Sequence, residues 1–315
     1  MSALAFIILA ALLVGPVPAL LARARWPLRA PRATVVLWQA IALAAVLSAF
    51  SAGIAIASRL LMPGPDGRPT ASPLGDIGRL GWPLWTLYVG VFAVTVLVGA
   101  RLAIAVLRVA IGTRRRRAHH RMLVDLLGAR AGAPAQTGAR ARDLRILCVA
   151  QPLAYCLPGV RSRVVLSEGT FTALSDAEVA AILSHERAHL RARHDLVLEG
   201  FTAVHAAFPR LVRSAGALDA VQLLVELLAD DAAVRAAGRA PLARALVACA
   251  SGRTPSAALA AGGPSTLVRV RRLSGRGNSR MLAAAVYAAA AAVLVVPTIA
   301  LAIPWLIELQ RLFIA

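Results

Sequence analysis

The chain has 315 residues, of which 59% are hydrophobic and only 16% are charged, and its mean hydropathy is +0.70. A soluble domain carries about 25% charged residues, so much of the apolar content must lie in lipid. The net charge is +20 and every basic residue is an arginine. Nucleic-acid binding is not expected, because no basic stripe is interleaved with aromatic residues that could stack on bases. Three scattered cysteines are too few for a disulfide framework: Cys148, Cys156 and Cys249.

Four apolar runs predict membrane-spanning helices. A helix needs about 20 apolar residues to cross a bilayer, and each run supplies that many. The predicted spans are residues 2–22, 33–58, 82–107 and 281–307. The first run is interpreted as a retained helix, because it lacks a positively charged start and is too long for a cleaved signal peptide.

The placement of the arginines predicts the orientation in the membrane. Arginines crowd residues 23–32 and both ends of residues 112–280, whereas residues 59–81 also contain two aspartates. The positive-inside rule therefore places 23–32 and 112–280 in the cytoplasm, and both termini and 59–81 outside. The arginine run 114–117 is interpreted as a topology anchor beside anionic lipid. The predicted regions are a three-helix membrane part (1–111), a cytoplasmic domain (112–280), and a fourth membrane helix with a short outer tail (281–315).

The sequence L-S-H-E-R-A-H-L-R, residues 183–191, predicts a zinc site on a helix. Ser175 and Glu178 form a capping-box pattern that starts this helix. His185 and His189 are four residues apart, so both imidazoles lie on one helix face and can bind one metal ion. Glu186 follows the first histidine and can reach a water molecule at that metal. This is the H-E-x-x-H arrangement of zinc peptidases, with Glu186 as the catalytic base.

A catalytic zinc ion needs a third protein ligand and an open fourth position for water. We predict that Glu226 is this ligand, because it is the acid within a strongly apolar helical run and needs a partner there. His194 is the rival ligand, although five residues from His189 turns it off the zinc face. Asp230 and Asp195 are predicted to accept the second N–H of the ligating histidines and fix their tautomers.

Other features of the predicted cytoplasmic domain are less informative. Arg235 and His194 are weak candidates for stabilising an oxyanion. Residues 144–150 and 162–167 are predicted strands, joined through a loop that carries Y-C-L-P-G, and they could bind an extended peptide by strand addition. Cys156 in that loop is interpreted as a small buried residue rather than a metal ligand. Residues 129–142 and 252–263 are predicted to be flexible links.

Together, H-E-R-A-H-x4-H-D, E-L-L-A-D and Y-C-L-P-G-V-R-S-R-V-V-L-S resemble the BlaR/MecR-type membrane metallopeptidases, which are metallopeptidase family 56. The resemblance implies a mainly α membrane protein with four transmembrane helices and a cytoplasmic α+β gluzincin-like zinc domain between the third and fourth. It implies His185, His189 and Glu226 as Zn²⁺ ligands and Glu186 as the base. Antibiotic sensors of that family continue into an extracellular penicillin-binding domain, which is not found after the last apolar run here.

The predicted function is therefore a membrane-embedded zinc endopeptidase that cleaves a cytoplasmic protein, such as a transcriptional repressor, in a signalling pathway. One alternative is a quality-control protease of the heat-shock/CAAX type, metallopeptidase family 48, which shares H-E-x-x-H and E-x-x-A-D. Another is a non-catalytic membrane signalling protein that holds zinc for structure. Because residues 59–81 have the composition of an extended connector, a signal is expected to enter through the membrane helices, through lipid or through a membrane sensor partner.

Overall fold

A computed structural model describes residues 2–57, 77–130, 143–209, 214–250, 259–260, 265–275 and 277–303, together with residues 306, 307 and 310. Most of these residues are helical. The helices are α1 (Ser2–Val14), α2 (Pro16–Arg23), α3 (Pro31–Ala57), α4 (Ile77–Leu127), α5 (Glu168–Ala173), α6 (Asp176–Ala192), α7 (His194–Ala207), α8 (Ser214–Ala237), α9 (Arg239–Cys249), α10 (Thr266–Ser274) and α11 (Arg280–Pro297).

Within the described residues, four helical segments are long and apolar enough to cross a membrane, which confirms the predicted number. They are Ala3–Arg23, Pro31–Ala57, Leu80–Leu127 and Arg280–Ala300. The first segment is broken between α1 and α2 at Gly15, because Pro16 lacks the N–H that would continue the helix. The inserted sheet domain lies between the third and fourth segments, as the predicted fold class requires.

The helix α4 is much longer than the membrane span predicted within it. The part of α4 that follows Gly81, residues 82–127, extends over about 70 Å, more than twice the ~30 Å thickness of a bilayer core. A kink at Gly81, whose φ is 72°, interrupts helical geometry near its start. The region boundary predicted between residues 111 and 112 falls within this helix and stays a prediction. α4 thus carries the chain from the third apolar span directly into the inserted domain.

The inserted domain contains a small mixed sheet. Its strands are β1 (Ala129–Arg130), β2 (Leu144–Leu147), β3 (Ala154–Leu157), β4 (Arg163–Ser167) and β5 (Leu259–Ala260), in the spatial order β1-β2-β4-β3-β5. β2 and β4 are parallel, and β3 is antiparallel to both of its neighbours. Both predicted strands are therefore present.

The prediction that Y-C-L-P-G is a loop is wrong for its first three residues. Tyr155, Cys156 and Leu157 belong to β3, a fully buried strand. β3 pairs with β4 on one side and with β5 on the other, so its backbone hydrogen bonds are made within the sheet. The pairing with β5 involves residues about 100 positions away, so it could not be seen in the local sequence.

Two hydrophobic clusters meet along α8. The first joins the apolar helices to α7 and α8 and includes Trp38, Phe201 and Val225. The second joins the sheet to α6, α9 and α10 and includes Ile182 and Ala233. Because α8 contributes to both clusters, the residues between Val225 and Ala233 lie where the membrane helices meet the inserted domain.

Several predictions concern residues outside the described part of the chain. These are most of the outer loop 59–81, nearly all of the tail 308–315, and the greater part of the two predicted links. Of the links, Ala129–Arg130 and Leu259–Ala260 are described, and they form β1 and β5.

Candidate metal centre

The helix α6 positions the two histidines of the H-E-x-x-H motif. The backbone N–H of Ser175 donates to Oε2 of Glu178 at 2.9 Å, which completes the predicted capping box. The helix ends at Arg193, whose left-handed conformation (φ 51°, ψ 42°) reverses the chain. Between these two ends, His185 and His189 lie on one face and are both buried.

Glu226 of α8 completes a compact set of three potential metal ligands. Nε2 of His185 lies 3.4 Å from Oε2 of Glu226, and Nε2 of His189 lies 3.4 Å from Oε1 of the same carboxylate. The two Nε2 atoms are 3.2 Å apart. One ligand atom from each residue lies within 4.8 Å of the others. The packing of α6 on α8 therefore brings together the three residues predicted to bind the metal.

Glu186 is fully buried beside this cluster. Neither of its carboxylate oxygens has a hydrogen-bond partner of good geometry among the described residues. Burial raises the pKa of Glu186 to about 7, and Glu226 adds to this effect. The neighbouring thiol of Cys156 is also buried, and burial raises its pKa well above the usual range. Cys156 is thus protonated, whereas Glu186 is suited to accept and release a proton near neutral pH.

Two of the three clustered ligands, His189 and Glu226, carry the charges that a metal site requires. Burial lowers the pKa of His189 to about 3, so its ring is neutral, which is the form that binds metals. Burial alone would raise the pKa of Glu226, but His189, His185 and Arg269 hold it at about 2. For His185, burial lowers the pKa, yet Asp230 and Glu226 overcome this effect and raise it to about 9. The carboxylates of Asp230 and Glu226 therefore stabilise a positive charge at the position between them, where His185 lies.

Asp230 lies behind His185, where the sequence predicted an acceptor. Its Oδ1 is 3.1 Å from Nδ1 of His185, on the side of the ring away from Glu226. Asp230 is also bound by Arg269 of α10, one of the arginines near the end of residues 112–280 on which the predicted orientation depends.

The structure places His194 and Asp195 at the start of α7, outside the ligand cluster. Nδ1 of His194 lies 3.0 Å from Nδ1 of His189, so it contacts the side of that ring opposite Nε2. Asp195 pairs instead with Arg117 of α4, at 3.1 Å. Arg117 belongs to the arginine run 114–117 and also binds Glu199 at 2.6 Å. This arginine therefore links α4 to the helix that follows the metal centre, in addition to any contact with lipid.

Arg235 lies on the surface of α8, nine residues beyond Glu226. It lines a cavity bounded by α3, α6, α7 and α8, which His194 also lines. Within the described part of the chain, Arg235 makes no hydrogen bond or ion pair with the three clustered ligands. The geometry therefore keeps Arg235 away from the cluster and places His194 on the Nδ1 side of His189, and the role of both residues at an oxyanion stays a prediction.

The donor set fits a zinc ion. Two imidazole nitrogens and one carboxylate, presented from two buried helices, match the ligands of catalytic zinc sites with a fourth position left for water. Both oxygens of Glu186 are buried without a well-aligned hydrogen bond, so the residues beside the cluster include polar atoms that water at the metal would satisfy. The contact from Asp230 to His185 is the one expected of an acceptor behind a metal-bound histidine.

A buried metal-ligand cluster with an adjacent carboxylate, set on a small sheet domain between apolar helices, defines a membrane metallopeptidase. The family model described as Peptidase family M48 matches residues 114–277, which is more than half of the chain. The chain belongs to this family, whose members are zinc-dependent metallopeptidases. No curated protein and no solved structure matches the chain.

The family match supports a metallopeptidase but does not support the specific resemblance to family 56. The two families share H-E-x-x-H and E-x-x-A-D, so these motifs could not separate them. Antibiotic sensors of family 56 have three apolar spans before the zinc domain and one after it. That arrangement is present here in a chain that matches family 48, so it does not discriminate between them.

Proposed function

We propose that the chain is a gluzincin-type zinc endopeptidase in which His185, His189 and Glu226 bind the metal and Glu186 is the catalytic base. The observation that carries this proposal is the convergence, within 4.8 Å of one another, of ligand atoms from two buried histidines and the part-buried Glu226, with Glu186 on the same helix as the histidines. A bound zinc ion supplies Lewis-acid chemistry, because it polarises a peptide carbonyl and lowers the pKa of water at the site.

The residues around the ion have separate tasks in this reaction. The Glu186 carboxylate takes a proton from the attacking water and passes it to the nitrogen of the leaving amine. Oδ1 of Asp230 lies 3.1 Å from Nδ1 of His185, and His194 occupies the corresponding side of His189. Burial of Glu186 excludes bulk water from its carboxylate and keeps its pKa near neutrality.

A structural zinc site in a non-catalytic signalling protein is a weaker explanation. Structural sites are closed, commonly by cysteine, and need no free carboxylate beside a ligand. Burying both oxygens of Glu186 without a well-aligned hydrogen bond costs free energy, and a purely structural zinc site does not require this carboxylate.

For the substrate, we propose a cytoplasmic or membrane-adjacent protein, with a transcriptional repressor as the first candidate. The metal centre lies where the apolar helices meet the inserted domain, so protein segments close to the membrane surface are within reach. Cleavage of damaged membrane proteins is the second candidate, and the match to peptidase family M48 favours it at least equally. A membrane sensor partner would supply the stimulus only in the first case.

Comparison of protein N-termini in living cells tests this function. Cells that produce the wild-type chain should contain N-termini that disappear in cells producing the Glu186→Gln variant. The exposed Glu168 gives a matched control, and Glu168→Gln should leave these N-termini unchanged. Glu186-dependent N-termini in a DNA-binding repressor indicate signalling, whereas those in misfolded membrane proteins indicate quality control. If no N-terminus depends on Glu186, the chain does not act as an endopeptidase under the conditions used.

We also propose that the metal centre faces the cytoplasm of a multi-pass membrane protein whose two termini lie outside, as the arginine distribution predicts. A tag at the C-terminus should then be labelled by an antibody on intact cells. A tag inserted within residues 129–142 should be labelled only after the membrane is permeabilised. The reverse pattern would place the zinc centre outside the cytoplasm and remove cytoplasmic repressors as substrates.

A further inference from the structure

Arg269 of α10 is buried against the proposed metal ligands and has no role in the function proposed above. Its side chain is 1% exposed, although the residue lies in an arginine-rich helix with exposed neighbours. A buried guanidinium is costly unless its N–H groups are paired, so the contacts it makes must account for its position.

The guanidinium binds Asp230 through two hydrogen bonds. Nε donates to Oδ2 at 2.8 Å, and one terminal nitrogen donates to Oδ1 at 2.6 Å. Oδ1 is also the atom that lies 3.1 Å from Nδ1 of His185. Such a two-point contact fixes both the position and the plane of a carboxylate. Arg269 therefore determines how Asp230 meets the histidine.

The other terminal nitrogen of Arg269 lies 2.9 Å from Oε2 of Glu226. The second oxygen of that carboxylate, Oε1, faces His189 at 3.4 Å. The two oxygens of Glu226 thus have different neighbours, because one is next to a fixed cation and the other is not. Oε2 of Glu226 is therefore already paired with the Arg269 guanidinium before any metal ion binds this carboxylate.

The charges of the site also require Arg269. Three buried carboxylates, those of Glu186, Glu226 and Asp230, carry up to three negative charges. A divalent zinc ion together with the Arg269 guanidinium supplies three positive charges. Loss of the arginine would leave the zinc-loaded centre with an excess negative charge in a region of low dielectric constant.

We propose that Arg269 is a positioning residue that engages Oε2 of Glu226, so that Glu226 binds zinc through a single oxygen and the fourth position stays open for water. This inference depends on the proposed function, since it assumes that Glu226 is the third ligand. The competing explanation is that Arg269 only anchors α10 to α8. Arg272 gives a matched control for that explanation, because it joins the same two helices through Asp231 at 2.8 Å.

The experiment uses the full-length chain purified in detergent and loaded with Co²⁺, whose visible absorption is stronger in four-coordinate than in five-coordinate sites. Arg269→Met should weaken the visible absorption, because Glu226 can then bind through both oxygens. It should also lower the zinc affinity by about 10–100-fold, the effect typical of residues that hold metal ligands. Arg272→Met should keep the wild-type spectrum and affinity even if it lowers the melting temperature.

A second variant tests whether the spectral change acts through Glu226. In the Glu226→Gln background the side chain offers one oxygen only, so adding Arg269→Met should produce no further change in the cobalt spectrum. A further change of the same size would overturn the proposal, as would an Arg269→Met spectrum and zinc affinity equal to those of Arg272→Met.

Misfolding of a variant and failure of the proposed function can both be distinguished from failure of the inference about Arg269. If Arg269→Met does not fold, Arg269→Lys replaces it. An ammonium group cannot make the same paired contacts, so a lower zinc affinity is expected. Wild-type spectrum and affinity in Arg269→Lys would overturn the inference. If the wild-type chain itself bound no zinc and cleaved no protein, the proposed function would fail, whereas equal behaviour of the two arginine variants in an active chain would reject only the role of Arg269.

Discussion

The Glu186→Gln variant should lose peptidase activity by at least about 10²–10⁴-fold, the contribution typical of a general acid–base residue. It should retain zinc at the wild-type level, because Glu186 lies beside the ligand cluster and is not one of the three residues that form it. Glutamine has nearly the same shape as glutamate, so the buried position can accept it without a cavity. Activity is measured on a casein-like protein or on a substrate found from cellular N-termini, and zinc by metal analysis of the same sample.

The matched control is Glu168→Gln, which removes an exposed carboxylate from the same domain and should leave activity unchanged. Wild-type cleavage rates in Glu186→Gln would show that another group takes the proton from water. Loss of zinc together with activity would instead assign Glu186 to metal binding.

Zinc content should fall most when one of the three clustered ligands is removed. The wild-type chain should bind about one zinc ion, and His185→Ala, His189→Ala and Glu226→Ala should each lose most of it, because a catalytic site has only three protein ligands. His194→Ala should have the smaller effect of about 10–100-fold on zinc affinity, since His194 contacts the Nδ1 side of His189. Metal analysis after dialysis against a weak chelator distinguishes the three ligand variants from His194→Ala.

His119→Ala is the control for this series, because His119 is exposed on α4. It should bind zinc as the wild-type chain does. Full zinc retention in Glu226→Ala would transfer the third-ligand role to another residue, with His194 and Asp230 as the candidates. The same result would remove the basis for the inference about Arg269.

The features that the sequence predicted well depend on residues close together in the chain. Four long apolar runs predicted four spans, because the length of a helix that crosses a bilayer depends on composition alone. The i, i+4 spacing of His185 and His189 predicted a shared helix face, because helical geometry is local. Glu226 and Asp230 were found by the same periodicity, since acids in an apolar helix need a partner.

The features that the sequence did not predict depend on which segments pack together. The 35 basic residues are all arginines, and nothing local separates Arg117 and Arg269 from those that face water or lipid. Arg269 differs from the exposed Arg271 because α10 packs against α8 and turns one side of the helix toward Asp230. Arg117 differs because α4 continues past the apolar span and meets α7.

His194 shows most clearly the difference between what the local sequence predicts and what tertiary packing decides. His194 lies five residues after His189, so it would point away from the metal face if a single helix ran through both residues, but α6 ends before His194. Arg193 adopts a left-handed conformation, and α7 starts at His194. The imidazole of His194 therefore contacts the Nδ1 side of the His189 ring. The sequence by itself determined the helices, the spans and the three clustered side chains, because hydrophobic periodicity and ligand spacing are local properties. Only the tertiary structure decided which charged residues support that cluster, because a side chain's partner depends on the packing of helices that are distant in the chain.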